Sequence, residues 1–405
     1  MKILHLSNVA GKLGGGISEV VHAFLYYQIK FGYDSILWFL GKKSQINEIS
    51  NKNNLDKKSL YAITQLFGLR FLISPTIFFK LRTLKKDIDI LHQHGIFMPI
   101  SWISLLLNKR LKVIISPHGF LEPEKLKVSS FKKKMALLLY ERKNLNECDC
   151  LVACSHQEAI SLRDFGFSQP IVILPNGVHN SMIKKNESVS NDFTFKLKYG
   201  INKESKILLF LSRVHPFKGL KLLLESIVII KEEFRKNDWI FVIAGTDELN
   251  HTNELKIFVH KHNIGDIVRF IGPQYNNDKI IAFDSANCFI LPSIGENFGI
   301  AVLEALARGL PVITTKNTPW SELQDNSCGW SVERNKNEFI RIILKLFSFD
   351  DNHLIKMGKN GINLVKDNYT WPRIAEQTIC MYNWVLNDYN KKYKKGFTLL
   401  DDNSI

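Results

Sequence analysis

The sequence predicts an α/β protein built from two doubly wound parallel-sheet domains, and three observations carry that expectation. Short apolar runs of strand length alternate with segments of helical periodicity through both halves of the chain. Several of these runs end in a turn just before a helix, as strands of an open parallel sheet do. The length, 405 residues, exceeds one ordinary core and suits two. Hydrophobic residues make up 45%, the level of a soluble globular protein, and no apolar run reaches the length of about 18 that a membrane span needs. The amino terminus is too polar for a signal peptide and reads as a first strand. Six cysteines in a chain of this size make no disulfide framework, and Cys148, Cys150 and Cys154 lack zinc-ligand spacing; they are expected reduced and buried, in the cytoplasm.

Taken in order, residues 2–7 are a strand, 8–16 a loop ending in three glycines, and 17–30 a helix with Val20, Val21, Phe24 and Leu25 on its apolar face. A strand, a glycine loop and a helix start together suit a phosphate, although the three glycines lack the GxGxxG spacing of a dinucleotide site. Residues 35–39 read as the next strand and 47–58 as a loop or short helix. From 66 to 86, apolar side chains mix with Arg70, Lys80, Arg82, Lys85 and Lys86, which suits either an interfacial membrane segment or a core helix with a basic edge. Strands at 88–91 and 113–116 lead into His92-Gln93-His94-Gly95 and Pro117-His118-Gly119-Phe120. Ligands of an open sheet sit beyond the carboxyl ends of its strands, so His94 and His118 are candidates; for His94 a satisfied structural role is an equal reading. Asp87-Ile88-Asp89 has the form of a metal-binding Asp-x-Asp, but it precedes its strand and so belongs to the opposite end of the sheet. Residues 122–134 form a basic loop containing Lys125. A helix at 135–146, a strand at 150–153, a helix at 155–165 capped by Ser155 and a strand at 171–174 follow, reaching Pro175-Asn176-Gly177-Val178.

Residues 182–192 are polar and patternless, as a linker is. Alternation then resumes. A strand at 206–211 delivers Arg213 and Lys218, a planar fork and a point charge for an anion. Strands at 240–244 and 268–271 end at Gly245 and Gly272. An apolar run at 287–292 leads to Glu296, in a strand-to-helix turn, and Glu304 follows eight residues on, about two helical turns along the same face. The amides of Asn297, Phe298 and Gly299 would open that helix and cradle an anion or polar ligand. A strand at 310–314 runs into a loop where Trp320 reads as packing rather than sugar stacking. Helices at 339–347, 352–367 and 371–386 follow, and the basic tail 391–405 is expected to be disordered.

The stretch from Ser293 to Ala305 resembles the Glu-x7-Glu signature of retaining family 4 glycosyltransferases, including their Glu-Asn-Phe-Gly start. The glycine loop, His118, Pro175-Asn176-Gly177 and the Arg213…Lys218-Gly219 pair match further motifs of that family in its order, over most of the chain. The resemblance implies the GT-B architecture, two Rossmann-like domains facing a central cleft. Residues 1–185 would be the acceptor-side domain, completed by a C-terminal helix at 371–390, and 195–370 the nucleotide-sugar domain. It implies retaining transfer of a hexose from a nucleotide-diphosphate sugar to a hydroxyl of a glycan acceptor, in the synthesis of bacterial lipopolysaccharide (O antigen), capsule or exopolysaccharide. The implied roles are specific. Gly15 and Gly16 touch the donor diphosphate, Arg213 and Lys218 clamp it, and His118 lies beside the transferred sugar. Glu296, with the amides of Asn297, Phe298 and Gly299, holds the hexose hydroxyls; Glu304 holds the ribose, and the Gly272 turn the base. His94, Lys125 and Asn176 fall on the acceptor side. No metal and no cofactor is required, because fixed cations and helix starts take that part. His179 stands where the family usually has aspartate, so a charged role there falls away.

Charge is uneven. Residues 1–185 hold 26 Lys/Arg against 13 Asp/Glu, so +13 of the total +15 lies there and +2 in the remainder. A basic half attracts a polyanion. Nucleic acid is disfavoured because the basic residues do not interleave with aromatic platforms in a recognisable module. An anionic membrane surface, carrying a polyprenyl-diphosphate-linked acceptor, is the expected partner beside the nucleotide sugar, with the protein peripheral at the inner face of the cell membrane. The alternatives are a sugar-nucleotide epimerase or hydrolase on the same fold and a basic nucleic-acid-binding protein.

Overall fold

The computed structural model describes residues 1–8, 15–64, 77, 87–98, 100–122, 130–184 and 192–400. The chain divides into two units, Met1–Gly177 with Trp371–Ile405, and Val178–Thr370.

The first unit is built on β1 (Lys2–Ser7), β2 (Asp34–Leu40), β3 (Leu60–Ile63), β4 (Ile90–His94), β5 (Lys112–Ser116), β6 (Cys150–Ala153) and β7 (Ile171–Ile173), with the last strand of the chain, β14 (Thr398–Leu399), at one edge. The order is β14-β7-β6-β5-β4-β1-β2-β3. All pairs are parallel except β14 against β7. Alternation of side chains sorts these strands cleanly. Leu4, Leu6, Leu91, Val113 and Ile115 enter a core on one face with the helix Ile100–Leu107. Ile3, Ile90, Ile114, Cys150 and Val152 enter a second core on the other, beneath Ile379, Tyr382, Trp384 and Val385 of the helix Trp371–Leu386. His5, His92 and His94 share the parity of Ile3 and Ile90, so all three fall on the second face, fully buried.

The second unit holds β8 (Lys206–Leu211), β9 (Trp239–Ala244), β10 (Val268–Gly272), β11 (Cys288–Leu291), β12 (Val312–Thr315) and β13 (Gly329–Val332) in the order β10-β9-β8-β11-β12-β13, parallel throughout. Helices cover both faces, which is why β9 reads Trp-Ile-Phe-Val-Ile-Ala with every residue buried. In each sheet the strand order reverses at one point, between β1 and β4 and between β8 and β11.

Several elements differ from the sequence reading. β3, just past the polar stretch 47–58, was not expected, whereas the helix Gln45–Asn53 that runs into that stretch agrees with the short-helix reading of it. The helix expected at 135–146 is part of one continuous helical run, Ser130–Ala136, a π-turn at Leu137–Glu141 and Arg142–Glu147. The described part of the tail, 391–400, is folded: β14 takes the open edge of β7, and Leu400 is buried in the core, because an unpaired edge offers a backbone ladder to any apolar segment that reaches it. Residues 178–184 belong to the second unit. Lys184 donates its amide to the Ala307 carbonyl, and Arg308, paired bidentately with Asp284, also donates to the Met182 carbonyl. All six cysteines are free, and Cys380 alone is not fully buried.

Candidate active site

In the second unit the chemistry gathers where β8 and β11 lie side by side. The turn after β8 brings Lys218 to Glu296 in the turn after β11, with Nζ to Oε1 at 2.5 Å and both side chains nearly buried. Ser293 Oγ donates to the same Oε1 at 2.5 Å. Two turns so far apart in sequence meet because Gly219 sits with φ +75, against the Pro292 carbonyl; a Cβ there would lie 2.0 Å from that oxygen. Only glycine admits both the left-handed backbone and the close approach. Ile294 N then donates to the Phe217 carbonyl at 3.0 Å, which ties the turns together.

The segment holding Glu296 is braced from β12 and the loop after it. Thr315 Oγ1 donates to the Ser293 carbonyl, Asn317 Nδ2 to the Ile294 carbonyl, and Trp320 Nε1 to the Phe298 carbonyl at 2.6 Å. Trp320 is fully buried, in keeping with its reading as packing. The helix begins at Ile300, with Gly299 as a left-handed cap. Asn297, Phe298 and Gly299 therefore precede the helix instead of opening it, a correction whose cause is the positive φ of Gly299. Glu304 lies in that helix, nearly buried and ion-paired to Lys279 of the helix Asn276–Asp284. Gly272, at the end of β10, has φ +71 and open space where a side chain would stand.

The two cations expected to act as one clamp have different carboxylate partners. Lys218 serves Glu296, whereas Arg213 reaches out to Glu248 with both carboxylate oxygens at 2.9 Å and stays 61% exposed. The loop after β9 supplies the carboxylate that Arg213 takes.

In the first unit the reversal between β1 and β4 carries a layer of histidines. His5 and His92 are register partners, as are Ser7 and His94. His5 Nδ1 lies 2.9 Å from His94 Nε2, and His5 Nε2 lies 2.8 Å from Gln28 Oε1. His94 Nδ1 lies 3.2 Å from His118 Nε2. His92 bridges the Tyr382 hydroxyl, at 2.6 Å, and Ser116 Oγ, at 2.8 Å. Burial holds all three inner rings neutral: it lowers His5 to about 4 and takes His92 and His94 well below the ordinary histidine value, with the neighbouring imidazoles adding to the effect. His94 ends β4 instead of following it and is fully buried.

His118 stands at the β5 end with φ +54, followed by Gly119 at φ +72. A non-glycine residue in that region is held there by its surroundings. Here the hold is Glu158, whose buried carboxylate accepts the amides of Gly119 and, at 2.8 Å, Cys154. Ser155 caps the same helix, accepting from Glu158 N at 3.1 Å. Glu141, in the π-turn, does the same for the turn after β4, accepting from Phe97 N at 2.7 Å and Ser101 Oγ at 2.8 Å. Burial raises its carboxyl, and those hydrogen bonds oppose the rise.

Gly15 and Gly16 form the first turn of the helix Gly15–Lys30, instead of the loop before it. Asn176 is buried in the first unit after β7. Lys125, and all of 66–86 except Ile77, lie outside the described residues. Asp89 faces the other end of the sheet and accepts the Lys2 amide at 2.8 Å. Among the described residues one cluster has metal-ligand chemistry, His5, His92 and His94, with ring nitrogens within 4.8 Å of one another. Their nitrogens are already committed to hydrogen bonds with each other, Gln28, Ser116, Tyr382 and His118, so the lone pairs a cation needs are spoken for. Sequence reasoning missed Ser293, Lys279, Glu141, His5, Gln28 and Tyr382. Only the matching parity of His5 with His-x-His could have been noticed in advance.

Residues 14–181 match the model of Glycosyltransferase Family 4, and residues 191–364 that of Glycosyl transferases group 1. An Escherichia coli UDP-Gal:alpha-D-GlcNAc-diphosphoundecaprenol alpha-1,3-galactosyltransferase is 28% identical over 305 residues, covering 70% of this chain and 73% of that protein. A Corynebacterium glutamicum D-inositol 3-phosphate glycosyltransferase is 23% identical over 47% of this chain; the match spans about half that protein's length, 46%. Among solved structures, Anabaena HepE in complex with UDP-glucose superposes with a TM-score of 0.71 at 16% identity, over 95% of this chain and 99% of that one.

Proposed function

We propose that this chain, which belongs to the family 4 and group 1 glycosyltransferases of GT-B fold, moves a hexose from a nucleotide-diphosphate sugar to a hydroxyl of a glycan acceptor with retention of configuration. The observation that carries this reading is the Lys218–Glu296–Ser293 arrangement at the reversal between β8 and β11. It stands at the carboxyl ends of parallel strands, where open α/β sheets bind their ligands. Departure of a nucleoside diphosphate builds negative charge on its oxygens while the sugar becomes cationic. Lys218 is a nearly buried cation, worth more to that leaving group than an exposed one. Glu296 holds Lys218 until a donor arrives and then has an oxygen for the hexose hydroxyls. Glu304, neutralised by Lys279, is assigned to the ribose, with Gly272 at the base, and Arg213 reinforces the diphosphate. In the first unit His118 is assigned to the sugar, Gly15 and Gly16 to the diphosphate, and Asn176 to the acceptor. No step in this account calls for a metal.

The E. coli relative's name specifies a diphosphoundecaprenol-linked acceptor. An acceptor of that kind for this chain, in surface-polysaccharide synthesis at the inner membrane face, fits the basic first unit. No helix among the described residues is long and apolar enough to cross a membrane. Peripheral binding is supported instead by Phe131, Leu138 and Leu139, which are 76, 80 and 66% exposed beside Lys132 and Lys134. Thermal shift against UDP, GDP and ADP sugars, followed by turnover with lipid-linked glycans, tests the transfer. Donor consumption that is indifferent to acceptor would make the protein a hydrolase or epimerase instead. Flotation with anionic vesicles, lost in Phe131→Ser with Leu138→Ser, tests the membrane part, and wild type that never floats at low salt ends it.

A further inference from the structure

We propose that Tyr369 and Glu322 are positioning residues for Glu296: the bond between them anchors the aromatic layer beside which the Glu296 side chain rests, and so fixes where its carboxylate meets a sugar. That the ligand is a sugar rests on the proposed function; the anchoring does not.

The carboxylate of Glu296 is held by Lys218 and Ser293, but its stem has other neighbours. A Cβ built on Gly299 would lie 3.7 Å from both Cβ and Cγ of Glu296 and 3.3 Å from Trp320 Nε1. The Glu296 stem and the edge of the Trp320 indole thus share the space beside the Gly299 backbone that a side chain would fill. Phe298, the residue before Gly299, packs edge-on against Trp320 with ring centres 5.3 Å apart. Trp320 Nε1 also donates to the Phe298 carbonyl at 2.6 Å, so a shift of the indole pulls on the backbone next to Glu296.

Tyr369 completes the layer, with its ring centre 5.4 Å from that of Trp320 and 6.1 Å from that of Phe298. Its hydroxyl donates to Glu322 Oε1. The direction is fixed by chemistry, because a carboxylate only accepts. Burial first, and the Glu322 carboxylate with it, raises the Tyr369 phenol above its ordinary value, which keeps the proton this bond needs. Such a charge-assisted bond is stronger than one between neutral groups. Glu322 follows Trp320 by two residues, so one short segment makes both attachments: Trp320 to Phe298 and Glu322 to Tyr369. Tyr369 is itself tied down by its backbone. It is the C-cap of the helix Asp351–Asn368, with its amide donating to the Val365 carbonyl and its carbonyl accepting Val178 N, each at 2.8 Å. All of these residues lie in the second unit.

Glu296 is assigned to the hexose hydroxyls, whereas the diphosphate, ribose and base are assigned to other groups. Loosening the layer should therefore remove the hexose's share of binding and spare the nucleotide's. Tyr369 and Glu322 touch no ligand on this account.

The experiment compares wild type, Tyr369→Phe and Glu322→Gln in the full chain by two measurements. The first is exchange of the Trp320 indole proton, followed by NMR and assigned with Trp320→Phe. Tyr369→Phe keeps the ring and loses the bond to Glu322, and should speed that exchange about tenfold. Glu322→Gln keeps an acceptor oxygen and should stay within about threefold of wild type. The second is calorimetric affinity for UDP, GDP and ADP, each against its glucose and galactose esters. Tyr369→Phe should lose about tenfold in affinity for the sugar nucleotide that wild type binds and keep its affinity for the matching free diphosphate. Unchanged indole exchange in a folded Tyr369→Phe overturns the proposal. So do equal losses for sugar nucleotide and free diphosphate, which would mark a bond that serves stability alone. Should Tyr369→Phe not fold, Glu322→Ala removes the same bond from its other side and is held to the same outcomes. If the indole loosens as stated but wild type binds no sugar nucleotide, the anchoring stands and the transfer reading fails.

Discussion

Both units gather polar side chains where strand order reverses, yet they fill that place with opposite chemistry. Between β8 and β11 the contacts are charged: Lys218 with Glu296, and Lys279 with Glu304 nearby. Between β1 and β4 they are neutral, a run of imidazoles closed by Gln28, Ser116 and Tyr382. The location is the same, but burial differs. The histidine layer lies within the sheet, beneath the helices Gly15–Lys30 and Trp371–Leu386, where a charge is expensive, so proton position becomes the variable. The Lys218 pair lies in turns past the strand ends, where a counter-ion and a hydroxyl suffice to keep a charge. A shared fold rule thus locates a site without fixing its electrostatics.

The sharpest way to break that comparison is at Lys218. Lys218→Ala removes the near-buried cation and is expected to lower kcat about a hundred- to a thousandfold. It also leaves the Glu296 carboxylate without its counter-charge, so folding must be checked alongside. A wild-type rate would show that the charged unit does not act through charge.

Acid should separate the units next. His5, His92 and His94 have values in the fold below those of the unfolded chain, so the unfolded state binds more protons as pH falls beneath 6.5. Stability from keeping them neutral is therefore complete above 6.5 and is lost on descent towards about 4, where His5 itself titrates. For His5 alone the change is on the order of 3 kcal/mol. Hydrogen exchange at pH 5 should loosen β1 and β4 before β8 and β11. Equal loosening would deny the histidine layer its special place.

Trp320→Phe is a smaller perturbation of the second unit. It strands the Phe298 carbonyl and should cost about 1–3 kcal/mol by denaturant midpoint, with donor affinity falling as the Glu296 segment loosens. An unchanged midpoint would mean the brace is dispensable.

Arg213→Ala is the mildest in stability. Its pair with Glu248 is exposed, and removal should shift the midpoint by less than about 1 kcal/mol, with a kcat loss below that of Lys218→Ala. A loss equal to that of Lys218→Ala would make the two cations equal partners at the diphosphate. Excess EDTA should change nothing, and recovery by Mn²⁺ after inactivation would contradict the metal-free account.

How much of the site was legible depended on whether its partners were local. Glu296 and Glu304 stand out because their eight-residue interval is a property of one turn and one helix. Ser155 is recognisable as a cap for the same reason. That Arg213 and Lys218 pair with different carboxylates was not visible, because spacing along a loop does not state which neighbouring loop answers each charge. Nor was the folding of the tail at 391–400, which depended on β7 being an edge.

By itself the sequence determined the alternation of strands and helices, the two-domain plan and the glutamate interval, all consequences of periods of 2 and 3.6 residues acting over short distances. The parity that His5 shares with Ile3, and His92 and His94 with Ile90, is also a property of the sequence. Only the tertiary structure decided that those parities meet. His5 and His94 are 89 residues apart, Lys218 and Glu296 are 78, and His92 and Tyr382 are 290. Such contacts depend on which strands become neighbours and which helix covers them. That choice is made by burial summed over the whole sheet, and no local pattern encodes it.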